Sequence, residues 1–508
     1  MPDKKRKSIF DRILNFVEKA GNALPHPATL FGLFAIITLL FSAIASWLQW
    51  SAVHPATSEM IYPVNLLSKE GLHQIILKAV TNFTSFAPLG IVIVAMLGIG
   101  IAEQSGVISA VIRLLILSSP KKLLTFVVVF TGIVSNVASD VGYVLLIPLA
   151  GIIFHAVGRH PVAGMAAAFA WVSGGFSANL MIGTIDPLLA GLSEEAAKIV
   201  DPNYTVNPTA NYYFMVVSTF VIAFTGTFIT EKLIEPRLGK YEGNGEVAEK
   251  LEPLSPLEKK GLKWSFLTFM AITLIVLIGL VPENGWLRPE DGKVINSPLI
   301  KGIVFWLVVY AGLVGLTYGW VTGAYKNDSD VMDGAAKSMK TLASYIVLVF
   351  FAAQFVEYFK WSNLGLIIAI KGAGALSAAN LGLIPMIILF IIFAATLNMF
   401  MGSASAKWAI LAPIFIPIFM FLGYSPELSQ VVYRVGDSVT NIISPMMSFF
   451  ALIIAFFQKY IKHVGIGTII ATMIPYTVAF FIVWSLLLII WIWLGIPLGP
   501  GSGLFYNP

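Results

Sequence analysis

Cysteine and charge are the two features that this chain has least of. The 508 residues include no cysteine, which excludes disulfides, thiolate metal sites and a cysteine nucleophile. Only 12% of the residues are charged, against about 25% in an ordinary soluble domain. The six histidines show no HExxH spacing, and the sequence has no glycine-rich phosphate loop. These absences argue against a soluble enzyme, a metalloenzyme and a nucleotide-binding protein, and the scattered basic residues do not indicate a nucleic-acid partner.

Long apolar runs take the place of charge. Hydrophobic residues make up 57% of the chain, and its mean hydropathy is +0.84. Several runs reach the roughly 18–20 residues that a helix needs to cross a bilayer, and the alternation typical of a β-barrel strand is missing. The sequence therefore predicts an all-α polytopic membrane protein that is surrounded by lipid. We place nine spans at residues 28–50, 86–104, 162–190, 211–231, 264–282, 300–320, 341–359, 428–457 and 466–495.

Two further apolar stretches, 122–157 and 382–422, are interrupted near the middle by small polar residues. If each forms a re-entrant hairpin, the nine spans fix the side of every loop. The loops on the N-terminal side then carry 22 Lys and Arg, and the opposite loops carry 7. Basic residues favour the cytoplasmic side, which predicts a bacterial inner-membrane protein with its N-terminus in the cytoplasm. Two complete crossings per stretch would leave the sides unchanged, so the charge count supports the orientation but does not test re-entrance.

A charged segment with several Pro and Gly residues, 232–263, divides the chain. We interpret it as a cytoplasmic linker between a first membrane repeat (28–231) and a second one (264–508). The start, 1–27, is predicted to be a cytoplasmic segment without a cleavable signal peptide. Residues 107–118 are too short to span and are predicted to lie along the inner interface.

The two halves share a weak internal repeat. An offset of 265 residues places Pro148 on Pro413, Gly158 on Gly423 and Pro161 on Pro426. The order of span, hairpin, broken span and span recurs, with the second copy running in the opposite direction through the membrane. Inverted repeats with interrupted helices place a substrate site near the midplane, so this pattern is typical of a secondary transporter.

Small polar residues interrupt both hairpins. Non-helical backbone at membrane depth is tolerated only where protein or a watery cavity satisfies it, and small side chains let an ion or a carboxylate approach the freed helix ends. The alternative is a kink packed against a neighbouring helix. The residues concerned are Ser135, Asn136, Ser139 and Asp140 in the first hairpin and Asn398, Gly402, Ser403 and Ser405 in the second.

The broken spans contain the intramembrane charges. Asp186 follows the glycine-rich stretch of the first broken span, while Arg434 and Asp437 lie three residues apart in the second. A charge inside a span is energetically unfavourable and usually functional. Two structural alternatives stay open: an ion pair between Arg434 and Asp437, and a position for Asp186 in the outer interface.

These residue types suit particular ligands. Asp437 with Asn398, Ser405 and free carbonyls would form an oxygen set for Na⁺, whereas a lone carboxylate would relay H⁺. The guanidinium of Arg434 can bind a substrate carboxylate through two hydrogen bonds. Trp408 would stack on an aromatic substrate or pack in the core.

Three further charged residues have weaker claims to a role in transport. Lys407 is a second cation near the second hairpin, either functional or structurally paired. Glu103 and Glu357 close equivalent spans near opposite interfaces, where we expect them to be solvated.

Several motifs in both halves carry a family resemblance. The chain resembles the p-aminobenzoyl-glutamate transporter (AbgT) family along nearly its whole length. The motifs are NALPHPATLFG (22–32), FAPLG (86–90), VGRHPVAG (157–164), IEPRLG (234–239), SPLIKGIV (297–304), GSASAKWAILAPIF (402–415) and RVGDSVTNIISP (434–445).

The resemblance implies a bowl-shaped homodimer whose subunits have nine spans and two opposed re-entrant hairpins. It also implies transport of p-aminobenzoyl-glutamate, in some members export of sulfonamide antimetabolites, and coupling to a sodium or proton gradient without another cofactor. Asn398 and Asp437 are the implied sodium ligands. The other implied functional positions are Asp186, Ser405, Trp408, Pro426, Arg434 and Pro445.

Three other functions compete with this one. A divalent-anion (dicarboxylate) symporter would share the hairpin architecture. An intramembrane amide hydrolase would use Asp140 and Asp186 as an acid pair, but the sequence has no catalytic motif. A passive channel is disfavoured because buried charges of both signs suit binding and alternating access better than fast conduction.

Overall fold

The protein is described by a computed structural model that covers residues 25–55, 57–136, 142–241, 253–289, 291–292, 294–447, 449–461 and 464–506. Almost all regular structure in these ranges is helical, so the predicted all-α class is confirmed. Two short antiparallel strands, β1 (Ala52–Val53) and β2 (Met60–Ile61), pair in the first long loop.

The helices of the first half alternate between long spans and shorter segments. A 3₁₀ turn at Lys121–Leu123 precedes α5, and π-helical turns at Gly142–Leu146 and Thr230–Ile234 precede α6 and α10. The helices are α1 (Pro27–Trp47), α2 (Lys69–Thr84), α3 (Ala87–Ser105), α4 (Val107–Leu117), α5 (Leu124–Ser135), α6 (Ile147–Ala156), α7 (Pro161–Gly174), α8 (Ile185–Ala197), α9 (Tyr212–Ile229) and α10 (Glu235–Leu238).

The second half repeats this alternation. A 3₁₀ turn at Val294–Asn296 precedes its second helix. The helices are α11 (Pro256–Leu280), α12 (Pro298–Lys301), α13 (Ile303–Thr322), α14 (Asp328–Thr341), α15 (Ala343–Trp361), α16 (Leu364–Ala378), α17 (Leu383–Asn398), α18 (Ala404–Phe421), α19 (Pro426–Asn441), α20 (Phe450–Gln458) and α21 (Ile466–Trp493).

The outer helices present apolar side chains outward. Ile36, Ile37 and Leu40 of α1 and Leu274 of α11 are each more than half exposed. In water such a surface would drive aggregation, whereas lipid accepts it. Within the described residues, eight helices are long and apolar enough to cross a membrane, or up to nine when one bent pair is counted as a single span. This number agrees with the predicted polytopic architecture.

The first helix of each broken span forms the centre of the molecule. All of α7 is buried, and all of α19 except Asn441 is buried. α7 suits this position because it is made of small and apolar residues. α19 does not, because it carries Glu427, Arg434 and Asp437. A polar helix can be buried at membrane depth only against polar partners, so the centre must contain a polar region.

The breaks lie where the sequence predicted them. The first broken span is interrupted between α7 and α8 and the second between α19 and α20. In the second hairpin, α17 and α18 are joined by the short segment 399–403. The first hairpin consists of α5 and the π-helical turn that leads into α6, and residues 137–141 between them lie outside the described part.

Local conformation supports the internal repeat. Gly158 and Gly423, which the offset of 265 pairs, both adopt left-handed φ angles, of 80° and 86°. Left-handed backbone favours glycine because it has no Cβ. Pro161 and Pro426 then each occupy the first position of a central helix, α7 and α19. Paired residues thus perform the same local task in both halves.

Three segments that were predicted to be loops contain helices. α2 and α16 lie in the stretches assigned to the outer side, and α14 lies in a cytoplasmic one. The first broken span also extends to Ala197, beyond the predicted end at residue 190. These helices were missed because they are too short or too polar to register as spans. The predicted interfacial helix is present as α4, which meets the α5 segment at an angle of 112°.

Two family motifs meet in space. Arg159 from VGRHPVAG binds Glu235 from IEPRLG through two hydrogen bonds, Nε to Oε1 at 2.9 Å and Nη2 to Oε2 at 2.5 Å. A bidentate arginine–carboxylate pair fixes geometry as well as charge. It ties the loop that follows the first hairpin to the short helix α10.

Candidate functional site

Four helices supply the side chains at the centre. α19 lies at the core and packs against α17 and α18 of the second hairpin and against α8 of the first broken span. The first turn of α8 carries Asp186, the last residue of α17 is Asn398, and the first turns of α18 carry Lys407 and Trp408. The two halves of the chain therefore meet at this point.

Arg434 forms an ion pair with Asp186 across the two halves. Its Nη2 lies 2.7 Å from Asp186 Oδ1, and the two residues are 3% and 1% exposed. The second carboxylate oxygen of Asp186 accepts a hydrogen bond of 2.7 Å from the backbone N–H of Gly183, in the break between α7 and α8. Asp186 is therefore buried between the two halves and paired, not exposed to solvent.

The Arg434–Asp186 pair is close but poorly aligned. Among the described residues, no acceptor has hydrogen-bond geometry toward Nε or Nη2 of Arg434, or donor toward Oδ1 of Asp186. A buried donor without an aligned acceptor is unfavourable by about 1–3 kcal/mol, more when it is charged. The guanidinium thus keeps hydrogen-bonding capacity that an incoming anion could use.

Lys407 and Asp437 form a second buried ion pair. Lys407 Nζ lies 2.5 Å from Asp437 Oδ1, and both side chains are fully buried. Lys407 also donates a hydrogen bond to the amide oxygen of Asn398. The amide nitrogen of Asn398 in turn reaches the backbone oxygen of Asp437 at 2.7 Å and the side-chain oxygen of Asn441 at 2.8 Å.

The structural alternative that pairs Arg434 with Asp437 is wrong. Each charge instead has a partner on another helix, Asp186 on α8 for Arg434 and Lys407 on α18 for Asp437. A three-residue spacing puts two side chains on one helical face. It does not decide between a neighbour on the same helix and one across the interface.

Trp408 is packed between the halves. Its ring stacks on Tyr433 with the centroids 4.5 Å apart, and its Nε1–H donates to Ser193 Oγ at 2.9 Å. The Tyr433 hydroxyl donates to the backbone oxygen of Ala404, at the start of α18. The indole is fully buried, so one of its faces is covered by Tyr433 in this conformation.

A polar stripe along α19, here defined as Glu427, Gln430, Arg434, Asp437 and Asn441, extends the site. The spacings of three and four residues put all five on one helical face. The stripe is about 21 Å long at 1.5 Å per residue, a large part of the roughly 30 Å hydrocarbon thickness. Sequence reasoning missed Glu427 and Gln430, although this spacing was a usable signal.

The N-terminal end of the stripe is satisfied by hydrogen bonds to uncharged side chains. Gln430 accepts from Ser193 at 2.7 Å and donates to Asn211 at 2.8 Å. Tyr204, in the loop after α8, donates to Glu427 Oε2 at 2.9 Å. Burial, together with the nearby Glu427 carboxylate, raises the pKa of Tyr204 and keeps this hydroxyl a donor.

The tip of the second hairpin rests on the break of the second broken span. A Cβ on Gly402 would overlap the backbone oxygen of Met446. Ser403 caps α18 by accepting from the N–H of Ala406, and its hydroxyl lies 3.3 Å from that of Ser405. Ser405 therefore bonds within the tip, while the Lys407 ammonium lies between Asn398 and Asp437.

The tip of the first hairpin is only partly described. Ser135 donates to the backbone oxygen of Gly132 at 2.8 Å, and Asn136 donates to Gly132 and to Trp171 of α7. Ser139 and Asp140 lie outside the described residues. The end of α5 is thus held by side-chain hydrogen bonds to helix carbonyls.

Two predicted prolines lie at the two ends of the central helix α19. Pro426 is buried at the start of α19, and Pro445 is half-buried in the break that follows it. Glu103 and Glu357, which were expected to be solvated, are half-buried near helix ends.

Comparison with known proteins places this geometry in a family. The sequence matches the AbgT putative transporter family over residues 12–506. It is 38% identical over 491 residues to the p-aminobenzoyl-glutamate transport protein of Escherichia coli K12, with 96% of each chain covered.

Two solved structures resemble the fold. The YdaH transporter of Alcanivorax borkumensis, reported to have an unusual topology, has a TM-score of 0.90 and 46% identity and covers 94% of this chain and 100% of its own. MtrF of Neisseria gonorrhoeae, described as representing a class of antimetabolite efflux pumps, has a TM-score of 0.92 and 50% identity. The match covers 97% of this chain and 100% of MtrF. By sequence and by fold, the chain belongs to the AbgT family and is a multi-span membrane transporter, not an enzyme.

Proposed function

We propose that this protein is an ion-coupled secondary transporter of p-aminobenzoyl-glutamate, and that it also exports sulfonamide antimetabolites. The Escherichia coli relative is named for p-aminobenzoyl-glutamate, and MtrF is linked to antimetabolite efflux. We further propose that it works as a homodimer in the bacterial inner membrane with its N-terminus in the cytoplasm.

The observation that carries the proposal is the guanidinium of Arg434. It is buried where the two halves meet, and its Nε and Nη2 lack aligned acceptors among the described residues. A planar, bidentate donor at that place suits the carboxylates of a glutamate moiety. A substrate carboxylate that binds Arg434 would displace Asp186 from its ion pair. The negative charge of Asp186 would then need another partner.

The aromatic part of the substrate needs a flat apolar partner. Trp408 provides one, and its neighbour Tyr433 would have to move for a ring to stack on the covered face. Offset stacking of aromatic rings contributes about 0.5–1.5 kcal/mol beyond burial. A sulfonamide shares the aniline ring but lacks the glutamate, so it would use Trp408 more than Arg434.

The coupling ion would bind beside this pocket. Asn398 and Asp437 provide oxygens that already hold a cation, the ammonium of Lys407. Hard oxygen ligands of this kind suit Na⁺, and the Asp437 carboxylate alone would suit H⁺.

The test is substrate flux in proteoliposomes. Labelled p-aminobenzoyl-glutamate is added to vesicles with an imposed Na⁺ gradient, an imposed pH gradient, or neither. We expect uptake only when one of the gradients is present, and competition by a sulfonamide. Equal flux under all three conditions would contradict coupling. Competition by succinate as strong as that by unlabelled substrate would favour a dicarboxylate symporter.

A further inference from the structure

Lys407 is a buried cation that the proposed transport scheme leaves unexplained. It lies on the first turns of α18, and its side chain is fully buried. A buried lysine is rare unless it is paired, because the ammonium loses its hydration. Its partners are Asp437 on α19 and Asn398 at the end of α17. The ammonium thus joins both arms of the second hairpin to the central helix.

The oxygens that hold this ammonium are the two expected to hold sodium. Nζ lies 2.5 Å from Asp437 Oδ1, and it donates to Asn398 Oδ1. The orientation of the Asn398 amide is set by its nitrogen, which faces the oxygens of Asp437 and Asn441. Its Oδ1 therefore points to Lys407, and one cationic centre lies between the two oxygens.

The carboxylate of Asp437 is only half used by Lys407. Within the described part of the chain, its Oδ2 is buried and has no hydrogen-bond partner. A single ammonium therefore satisfies one oxygen of a buried carboxylate. A metal ion at the same place could contact both oxygens, which the ammonium does not do here.

The internal repeat shows that this lysine is a specific feature of the second hairpin. The offset of 265 pairs Lys407 with Gly142, which follows the break of the first hairpin. A Cβ on Gly142 would overlap the hydroxyl of Ser135 and crowd Val172, so a side chain there would force both neighbours to shift. One hairpin therefore has an internal cation at the position where the other is closely packed.

We propose that Lys407 is a tethered competitor for the coupling cation: its ammonium and a sodium ion exclude each other between Asn398 and Asp437. The inference rests on the proposed sodium coupling and adds a residue that determines how tightly the ion is held. Two cations this close in a buried site repel strongly. Sodium can enter only when the ammonium moves away from these two oxygens.

This exchange would couple the ion to the second hairpin. Lys407 is anchored on α18, so moving its ammonium away from Asp437 shifts the first turns of α18 relative to α19. The same turns carry Trp408, which borders the proposed substrate pocket. Sodium entry would thereby change the pocket through one helix, and a weak sodium affinity would keep the ion releasable.

The experiment is sodium binding to purified full-length protein. Na⁺ is titrated into wild type and Lys407→Met by calorimetry, with choline chloride holding the ionic strength constant. Methionine keeps an apolar stem of similar length without the charge. We expect Lys407→Met to bind Na⁺ at least tenfold more tightly than wild type. We also expect its melting temperature to rise with Na⁺ by more than that of wild type.

Two control variants make the result specific. Lys198→Met removes a lysine outside the proposed sodium site, whose Nζ lies 2.7 Å from Glu194 Oε1. This variant should bind Na⁺ like wild type. Lys407→Met with Asp437→Asn removes both charges and should lose the sodium response. Either of two results would overturn the inference. Lys407→Met could bind Na⁺ no more tightly than wild type, or its melting temperature could be the same in sodium chloride and in choline chloride. A failed flux assay with an intact sodium response would instead count against the proposed substrate.

Discussion

The side chain of Arg434 pairs with an acidic residue on another helix and not with the one on its own helix. Asp437 is three residues away on the same helix, yet the guanidinium faces Asp186 on α8, and Asp437 faces Lys407. Each half of the chain thus contributes one member to a buried pair. Removing one member of a buried ion pair typically destabilises a protein by about 3–5 kcal/mol, because an uncompensated charge remains.

Variants of this ion pair can separate the structural role of Arg434 from its role in transport. Arg434→Ala should reduce proteoliposome flux of p-aminobenzoyl-glutamate to less than a tenth, and Asp437→Ala should do the same. Adding Asp186→Asn to Arg434→Ala removes the orphaned carboxylate, so it should restore thermal stability but not flux.

Arg113→Ala is the matched control for these variants. Arg113 pairs with Glu258 at a partly exposed site, and its loss should leave flux unchanged. Normal flux in the double variant Arg434→Ala with Asp186→Asn would show that transport does not require a substrate carboxylate to bind Arg434.

Trp408 lends itself to a graded test of packing. Trp408→Phe keeps the stacking on Tyr433 but loses the hydrogen bond to Ser193, so we expect a loss of about 1 kcal/mol. Trp408→Ala also leaves a cavity and should cost about 3–5 kcal/mol. Thermal unfolding in detergent should therefore show a small and a large decrease in melting temperature. Equal decreases would mean that the ring contributes little packing.

The second hairpin and the break after α19 fit together without a gap. Gly402 lies against the backbone of Met446, so even a methyl group would push the two segments apart. Gly402→Ala should lower the initial rate of flux at least tenfold, because the tip also positions Lys407 and Ser405.

Gly374→Ala is the control for this substitution. Gly374 is exposed within α16, and a Cβ there would meet no atom within 4 Å. Alanine should be neutral there or stabilise the helix by about 0.5–1 kcal/mol. Wild-type flux in Gly402→Ala would show that the tip does not need this close contact.

Helices were predictable where they had to meet lipid. α1, α13 and α21 follow from apolar runs of spanning length, and the breaks follow from clusters of small polar residues. α2 and α14 were missed because an amphipathic helix beside the membrane has no such run. The partners of Arg434 and Asp437 were not predictable, because they come from distant segments whose approach depends on the whole fold.

The stripe on α19 was predictable in part: its residues were, and its partners were not. Its spacing of three and four residues is written in the sequence, and it would have identified Glu427 and Gln430 beside Arg434 and Asp437. The spacing does not indicate which neighbouring helices the stripe faces. These helices are α8 and α18, which supply Ser193 and Lys407.

The orientation of the molecule in the membrane can be tested cleanly because the chain has no cysteine. Single cysteines at exposed positions, Lys259→Cys in the predicted cytoplasmic linker and Asn203→Cys in a predicted outer loop, have no labelling background. In intact cells an impermeant maleimide should label the cysteine at 203 and spare the one at 259 until the membrane is opened. The reverse pattern would contradict the orientation derived from the basic loops.

The two halves together make a polar centre inside an apolar shell, and the proposed function requires this centre to bind a carboxylate through Arg434. The most direct measurement is equilibrium binding of p-aminobenzoyl-glutamate to the purified protein, without any gradient. We predict saturable binding to wild type and to Arg113→Ala, and at least tenfold weaker binding to Arg434→Ala combined with Asp186→Asn. Equal affinity in all three proteins would contradict the proposal.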